Sequence, residues 1–443
     1  MNYDVIVVGA GPAGLFACYE LIQQKKGLKI ALIDMGKRMG KRKPNEVMSG
    51  FGGAGTFSDG KLHYTGVLSH EKAFHLISKK KYQEILNHVD DIFTKFGVDS
   101  EYYPKKNDEL ERLITESKIN DVDLVVRKTR HVGSDKLQQV MMKYQEYLLE
   151  NNVDILDKTE VKDLIVERKR IKGVVVGKKN ILAKKVLVAP GRVRARWLQE
   201  VMDKYEVDYV YDKVEVGVRV EFPYQIMERQ AKTLYELVYR IRTRTYHDII
   251  RTFCSCPRGM VSAEEYTGYV CVNGYSNSDH KSENSNFAFV CEVNLTEPVE
   301  NSIAYAKSIA EVASTIGGGK PVLQTLEDLK CGRRSTQSRL DKSFVQPSLD
   351  DYTAGDISMA LPHRVVVNII EGLEILDGVM PGINAGSTLL YAPEVKFRSS
   401  KIKSDKNLET SIKGLYVAGD AAGVSGSITG AAATGIIAAR GML

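Results

Sequence analysis

The sequence is poor in the features that mark exported, metal-binding or nucleic-acid-binding proteins. Six cysteines in 443 residues form neither a dense disulfide framework nor paired CxxC zinc knuckles. No basic leader precedes the apolar N-terminal stretch, so a signal peptide is not indicated. The net charge of +6 is mild for this length and requires neither nucleic acid nor a membrane as partner. We expect a metal-free protein of the reducing cytoplasm that is not integral to a membrane.

Long hydrophobic runs are also missing. Residues 421–439 are uncharged and long enough to consider as a membrane span, but they are largely Gly, Ala, Ser and Thr, which transfer poorly into lipid. With 43% hydrophobic residues, the chain has enough apolar material for two or three globular units.

The N-terminus has the pattern of a dinucleotide-binding βαβ unit. The β-branched run Val5–Val8 predicts a buried strand, and a glycine motif at residues 9–14 and a helix through Leu21 follow it. A second apolar strand, Lys29–Ile33, ends at Asp34. An acidic residue about 20 positions beyond the glycines is typical of such units.

Each residue of this motif has a physical task. Gly9 permits the tight turn, Gly11 lets a pyrophosphate approach the backbone, and Gly14 lets the helix pack on the strand. The helix N-terminus offers N–H groups to phosphate. Asp34 can accept hydrogen bonds from the adenosine ribose.

The C-terminus supplies a second cofactor motif. Residues 414–420 predict a short strand that ends in Gly419-Asp420, and a helix of small residues follows to Ala439. Such a strand suits the ribityl hydroxyls and pyrophosphate of FAD. It resembles the Gly-Asp motif of flavoproteins with a glutathione-reductase-type FAD domain.

A β-meander is predicted between these two ends. Residues 153–155, 161–166 and 171–176 have the spacing of short strands and lead into an apolar strand that ends at Ala189-Pro190-Gly191. Flavoproteins of the glutathione-reductase type have a similar meander, with threonine where this chain has Pro190.

No second GxGxxG motif follows a convincing strand, because Gly317-Gly318-Gly319 reads as the end of a helix over residues 303–316. The fold class is therefore α/β, with one Rossmann-like FAD-binding domain of glutathione-reductase type (residues 1–202 and 386–443). We expect an inserted mixed α+β substrate domain at residues 203–385.

Five further blocks resemble a family of bacterial and archaeal FAD-dependent dehydrogenases related to fumarate-reductase and aminoacetone-oxidase-like flavoproteins. They are residues 52–62, 131–137, 216–221, 253–257 and 272–277. The resemblance implies an FAD-dependent oxidoreductase.

The glycine-rich loop of residues 52–61 is expected to wrap the pyrophosphate and flavin with backbone N–H groups. The predicted FAD-binding residues are Gly9, Gly11, Pro12, Ala13, Gly14, Asp34, Gly53, Gly55, Thr56, Ser58, Gly60, Lys61, Val161, Ala189, Gly191, Gly419, Asp420, Gly426, Ser427 and Ile428. Lys61 could stabilise negative charge on the reduced flavin, a task that N–H groups of the C-terminal helix could also perform.

No residue stands out as the catalytic acid. The weak candidates are Lys61, His63, His131, Cys254 and Cys256. A hydrogen-bonded structural role is the better interpretation for each histidine. Because residues two apart in a strand share a face, the two thiols could both line a substrate pocket, although structural burial is the better interpretation.

Arginines could bind an anionic substrate such as a carboxylate. They form two clusters, at residues 240–251 and 333–334, which a solvated surface would also explain. The basic run of residues 37–43 is interpreted as a solvated loop.

The sequence predicts hydride transfer between a small-molecule substrate and N5 of a non-covalent FAD, with NADH or NADPH as a candidate transient donor. Two alternatives stay open. A flavin monooxygenase would carry Asp-Gly where this chain has Pro190-Gly191. A non-enzymatic flavoprotein would act through a redox partner.

Overall fold

The computed structural model describes the chain except residues 1, 44, 45, 47, 58, 59, 67–76, 106, 212, 267, 276–280, 294, 296–300 and 397–399, and the side chains of residues 134 and 135. The strands are β1 (Asn2–Val8), β2 (Ile30–Ile33), β3 (Lys61–His63), β4 (Tyr102–Tyr103), β5 (Val122–Leu124), β6 (Thr129–His131), β7 (Asp154–Leu156), β8 (Val161–Glu167), β9 (Arg170–Val176), β10 (Lys179–Val188), β11 (Tyr209–Val210), β12 (Val214–Pro223), β13 (Tyr239–Arg242), β14 (Ile249–Cys256), β15 (Met260–Tyr266), β16 (Tyr269–Tyr275), β17 (Asn284–Val293), β18 (Val322–Thr325), β19 (Thr353–Ala354), β20 (Leu389–Lys396), β21 (Lys401–Ile402) and β22 (Leu415–Val417). The helices are α1 (Pro12–Gln24), α2 (Lys79–Lys95), α3 (Asp108–Ile119), α4 (Ser134–Glu150), α5 (Ala195–Lys204), α6 (Glu228–Leu234), α7 (Ser302–Ile316), α8 (Leu326–Lys330), α9 (Gln337–Leu340), α10 (His363–Leu376) and α11 (Ile428–Gly441).

The chain divides into two compact units. Unit 1 comprises residues 1–102, 128–212 and 399–443, and unit 2 comprises residues 103–127 and 213–398. The expected division placed residues 386–398 with the FAD domain and 103–127 outside the insertion. The structure differs because β20 pairs with β12 and β18, and β5 pairs with β13, all in unit 2.

Unit 1 is built on one sheet in the order β7-β2-β1-β10-β9-β8, with β22 also beside β10. β7, β2, β1, β10 and β22 run parallel to one another. Ile6 and Val7 of β1 are both fully buried. A strand that is buried on both faces carries apolar side chains at successive positions, which explains the continuous run of β-branched residues. The Rossmann-like prediction is confirmed.

The predicted meander consists of β8, β9 and β10, which pair antiparallel. The prediction that residues 153–155 belong to it is wrong, because β7 pairs in parallel with β2 and sets Ile155 opposite Leu32. Burial of Ile155 in the unit 1 core favours this position.

Unit 2 has a mostly antiparallel sheet in the order β19-β18-β20-β12-β17-β14-β13-β5. In β12, Val216, Val218 and Val220 enter a hydrophobic core shared with α10, whereas Glu215 and Arg219 alternate with them and are buried on the opposite face. The predicted mixed α+β character of the insertion is confirmed.

The helix and loop predicted around Gly317 are confirmed, since α7 ends at Ile316 and Gly317 caps it. No helix in the described ranges is long and apolar enough to cross a membrane. The helix in the region of residues 421–439 is α11 (Ile428–Gly441), which has 14 residues and is mostly buried.

Candidate functional site

The glycine turn after β1 places the N-terminus of α1 at the carboxyl edge of the unit 1 sheet. Gly9 has φ +103°, and a Cβ there would lie 2.1 Å from the carbonyl oxygen of Ala189. A Cβ on Gly14 would lie 1.9 Å from the oxygen of Gly9. At Gly11 the nearest atom to such a Cβ is 3.8 Å away. Gly9 and Gly14 are therefore required by the fold, whereas Gly11 leaves space above the turn.

The first turn of α1 has no side-chain cap, and Pro12 is its first residue. A helix start of this kind leaves N–H groups without intrahelical partners, and these bind anions well. The turn thus has both the space and the donors that a phosphate needs.

Asp34 closes this turn from the end of β2. One carboxylate oxygen, Oδ2, accepts a hydrogen bond from Ala10 N at 2.8 Å, and Oδ1 accepts one from Gly36 N at 2.7 Å. The side chain is half-buried. A carboxylate has about four lone-pair positions, so acceptor capacity remains for ribose hydroxyls.

The glycine-rich loop lies directly on the turn. Gly52 N donates to Ala10 O at 2.8 Å, and a Cβ on Gly53 would be 3.0 Å from Gly11 Cα. Gly55 packs close to Ile428, because a Cβ there would lie 2.6 Å from Cγ1. This loop therefore joins the two cofactor motifs from opposite ends of the chain.

Thr56 places a buried hydroxyl in the same loop. The residue is 1% exposed, and Oγ1 has no hydrogen-bond partner in the part of the chain that the structure describes. A buried hydroxyl left without a partner is costly, so a polar group bound here would be favourable.

The interpretation of residues 37–43 as a solvated loop is wrong for Arg42. This side chain is half-buried and donates from Nη1 to Phe51 O at 2.6 Å and to Gly53 O at 3.1 Å. Burial lowers the pKa of Arg42, which nearby Asp34 and Glu46 partly offset. A run of charged residues predicts a solvent-exposed segment. It does not indicate that one of its arginines, Arg42, holds the glycine-rich loop by hydrogen bonds.

The Gly-Asp motif at residues 419–420 also lies against the first turn of α1. Gly419 has φ +75°, with Ala13 Cβ 3.2 Å from the position of a Cβ. Asp420 accepts hydrogen bonds from Ser425 Oγ at 2.6 Å and from Arg192 Nε at 2.9 Å. Sequence reasoning missed Arg192 and Ser425; the adjacency of Arg192 to Gly191 was the available signal.

The remaining predicted cofactor residues lie in unit 1 as well. Ser427 caps α11, because its Oγ accepts from Gly430 N at 3.0 Å. Val161 begins β8, and its carbonyl oxygen accepts from Arg194 Nη2 at 3.2 Å. Gly191 has φ +70° with open space around it, and Gly426 is half-buried next to Ser427. Ser58 lies outside the described residues.

Three weak catalytic candidates share one small sheet of unit 1. Lys61 of β3 lies opposite His131 of β6, and His63 lies opposite Thr129. The His63 Nδ1 atom is 2.9 Å from Thr129 Oγ1, and the Thr429 hydroxyl donates to the His63 carbonyl oxygen. His63 is thereby placed at the N-terminus of α11, and the Lys61–His131 pair lies two positions along the same two strands.

Cys254 and Cys256 lie in β14 of unit 2, where the pairing with β17 is irregular between Phe253 and Cys256. Cys254 has φ +49°. A bulge shifts the two-residue alternation of a strand. Cys256 is 3% exposed, whereas Cys254 is half-buried.

Three of the six arginines in these clusters, Arg240, Arg251 and Arg333, bind carboxylates of the protein itself. Arg251 forms two hydrogen bonds with Glu215, at 2.6 and 2.7 Å, and Arg333 donates to Asp328 at 2.5 Å. Arg242 and Arg244 instead line a cleft of about 290 Å³ in unit 2, together with Asp121 and Glu374.

Together, the fold and the site of unit 1 define a dinucleotide-binding α/β protein of the flavoprotein class. Residues 3–200 match the family model "Pyridine nucleotide-disulphide oxidoreductase", and residues 213–397 match "FAD-dependent protein, C-terminal domain-like". The chain is an FAD-dependent oxidoreductase, as the sequence predicted. A search of curated proteins gives no match.

Several solved structures are distantly similar. A variant of E. coli quinol fumarate reductase FrdA is 13% identical, with 100% of this chain and 70% of that chain covered and a TM-score of 0.45. L-Proline dehydrogenase from P. horikoshii is 11% identical over 99% and 92% of the two chains (TM-score 0.45). The 3-ketosteroid-delta4-(5alpha)-dehydrogenase from Rhodococcus jostii RHA1 is 13% identical over 99% and 97% (TM-score 0.45).

Proposed function

We propose that unit 1 holds FAD non-covalently across the carboxyl edge of its sheet. Asp34 binds the adenosine ribose, the first turn of α1 with Gly11 and Gly53 binds the pyrophosphate, and Asp420 binds the ribityl chain. The observation that carries this proposal is the space at Gly11, between two glycines that the fold itself requires. The buried hydroxyl of Thr56 fits a polar edge of the cofactor.

FAD, when bound, supplies a flavin N5 that accepts or returns hydride. The chain's own residues then provide charge and protons. Lys61 and the N–H groups at the start of α11 favour negative charge beside the ring. Lys61 and His131, which are opposite in register, are the proposed proton-carrying groups.

The test of cofactor binding is Gly11→Ala. The new methyl group meets nothing closer than 3.8 Å in the protein, so the variant should fold with an unchanged melting temperature as apoprotein. It should bind FAD roughly tenfold or more weakly, because the methyl occupies the space for the pyrophosphate. FAD released by heating is quantified by chromatography. Wild-type affinity in the folded variant would refute the proposed position.

The electron donor is tested separately, by anaerobic titration of the FAD-loaded protein with NADH and then NADPH. Bleaching of the visible flavin band would establish a nicotinamide as donor. A band that stays oxidised would assign electron entry to the organic substrate or to a protein partner.

We further propose a small-molecule substrate that carries a carboxylate, bound by Arg242 and Arg244. Its support is the cleft in unit 2 that both arginines line beside Asp121 and Glu374, since guanidinium groups bind carboxylates well. Arg242→Gln with Arg244→Gln should raise KM for acids that reduce the flavin but not for the matching amides. Arg240→Gln is the control, because Arg240 is paired with Asp123. A cytoplasmic location fits six cysteines of which none forms a disulfide.

A further inference from the structure

Basic residues are concentrated at one edge of the unit 1 sheet. β1, β2, β10 and β22 run parallel to one another, so the starts of these strands lie at the edge opposite the cofactor motifs. Lys29 directly precedes β2, and Lys413 lies two residues before β22. Near the start of β1, Asp4 accepts a hydrogen bond from Lys184 Nζ of β10 at 2.7 Å. The sheet thereby brings together basic segments that are distant in the sequence.

We define the basic face as residues 25–29, 167–172, 178–185 and 413. With the adjacent Asp4 and Glu409, it holds 12 Lys and Arg against three Asp and Glu. The whole chain has 62 against 56, so the rest of the chain contains slightly more acidic than basic residues. The mild net charge of the protein therefore conceals a strongly basic surface on an otherwise nearly neutral molecule.

The segments of the basic face adjoin one another. Lys413 N donates to Lys169 O at 2.9 Å, which joins the turn before β9 to the residues before β22. Burial lowers the pKa of Lys185, although Glu409 lies nearby and raises it. Lys25 and Lys413 lower this pKa as well, because both are close enough to repel a positive charge.

Nearly all of these cations are accessible from solvent. Eleven of the 12 are exposed, and only Lys185 is half-buried. Lys184 is 80% exposed although it pairs with Asp4, and Lys413 is 66% exposed although it pairs with Glu409. Three acidic residues cannot neutralise 12 cations, so the basic face presents its charge to any anionic partner.

An apolar side chain lies within the basic face. Leu182 of β10 is 44% exposed, and basic residues precede and follow it in the same strand. Binding to a membrane surface combines attraction to anionic headgroups with apolar contact. Single-stranded nucleic acid is bound largely by stacking on aromatic rings, and the basic face contains no aromatic residue. Only two of its 12 cations are arginine, the residue that suits nucleic-acid recognition better than lysine.

We propose that the basic face docks the protein peripherally on a membrane of anionic phospholipids. Lysine side chains contact the headgroup phosphates, and Leu182 enters the interface between headgroups and acyl chains. The basic face and the cofactor motifs lie at opposite ends of the same strands, so docking leaves the cofactor site of unit 1 open. The proposal does not depend on which cofactor that site holds.

The experiment measures co-sedimentation of the purified protein with vesicles of phosphatidylcholine, alone or mixed equally with phosphatidylglycerol. The protein should bind only the mixed vesicles and should be released as salt is added. Combining Lys25→Gln, Lys172→Gln and Lys413→Gln should lower the partition coefficient at least about tenfold. Because all three side chains are exposed, the melting temperature should not change.

The matched control makes the same change in net charge elsewhere. Lys232→Gln, Lys307→Gln and Lys320→Gln replace three exposed lysines of unit 2 and should leave binding to the mixed vesicles unchanged. If this control lost as much binding as the first variant, or if the wild type did not bind the mixed vesicles, the proposal would be wrong.

Leu182→Gln tests the apolar contact without changing the charge. It should weaken vesicle binding about threefold, whereas Val312→Gln, at a residue of unit 2 that is 46% exposed, should have no effect. A DNA duplex is titrated in parallel at the same salt concentration. Tighter binding to the duplex than to the mixed vesicles, with no effect of Leu182→Gln on either, would assign the basic face to nucleic acid and overturn the proposal.

Discussion

The two units organise their sheets by contrasting means. In unit 1 the site forms where side chains are missing: Gly9 and Gly14 allow close backbone contact, and Gly11 leaves open space. In unit 2 the polar face of β12 carries charged side chains, Glu215 and Arg219, whose partners come from other strands. A backbone requirement appears as a short motif in the sequence. A side-chain pairing between distant strands does not.

The largest expected effects come from glycines that each fold requires. Gly14→Ala in unit 1 would place a methyl 1.9 Å from Gly9 O, and Gly217→Ala in unit 2 would place one 2.0 Å from Phe289 O. Because the obstacle is backbone in both cases, we expect each to lower the free energy of unfolding by about 4 kcal/mol or more. Urea denaturation measures this.

FAD separates the two glycine variants. Gly14→Ala should lose FAD together with its fold, whereas Gly217→Ala should retain FAD in unit 1 under conditions where unit 2 is disrupted. If both variants lost FAD to the same extent, the Gly217→Ala substitution would not be confined to unit 2, and the expected difference between the two variants would be wrong.

The next largest expected effect is the loss of stability when the buried Glu215–Arg251 ion pair of unit 2 is broken. Glu215 and Arg251 are 2% and 3% exposed, so Glu215→Gln leaves a buried guanidinium without its charge partner and should cost about 3–5 kcal/mol. Replacing both residues by apolar ones should recover most of this loss. Arg364→Met is the control: its pair with Asp248 is 57% exposed on the arginine side, and the expected loss is below about 1 kcal/mol.

These expectations also explain what the sequence could and could not predict. The βαβ unit, the Gly-Asp motif and the C-terminal helix were predictable because turn geometry confines each to adjacent residues. The roles of Arg42 and of Arg219 were not, because each depends on partners that only the folded chain brings near. The assignment of β7 to the meander failed because strand spacing does not tell which neighbour a strand pairs with.

A smaller effect is the acid sensitivity of unit 1. Glu20 of α1 is 1% exposed and binds His88 at 3.1 Å and Arg440 of α11 at 2.7 Å. Burial opposes its charge, but these two partners outweigh burial and lower the pKa to about 2 from 4.5. Since the folded pKa is depressed, the carboxylate contributes stability above about pH 4.5, and this is lost as pH falls toward 2.

Glu20→Gln should therefore cost about 3 kcal/mol at pH 6 and progressively less below pH 4.5. Chemical denaturation at a series of pH values measures the difference from wild type. Glu200→Gln, at an exposed pair with Arg196, should show little cost at any pH. A penalty for Glu20→Gln that does not change with pH would mean that the side chain acts through packing and not through its charge.

The smallest effect concerns the edge of the cofactor site. Arg192 is 58% exposed and pairs with Asp420, so Arg192→Met should lower the free energy of unfolding by less than about 1 kcal/mol, and 1 M NaCl should abolish the difference. FAD affinity should change by less than about threefold, because Ser425 still holds the other carboxylate oxygen of Asp420. Asp420→Asn, which weakens the proposed acceptor itself, should reduce affinity more. If Arg192→Met were instead the more damaging variant, Arg192 would have to contact the cofactor directly and not only through its pair with Asp420.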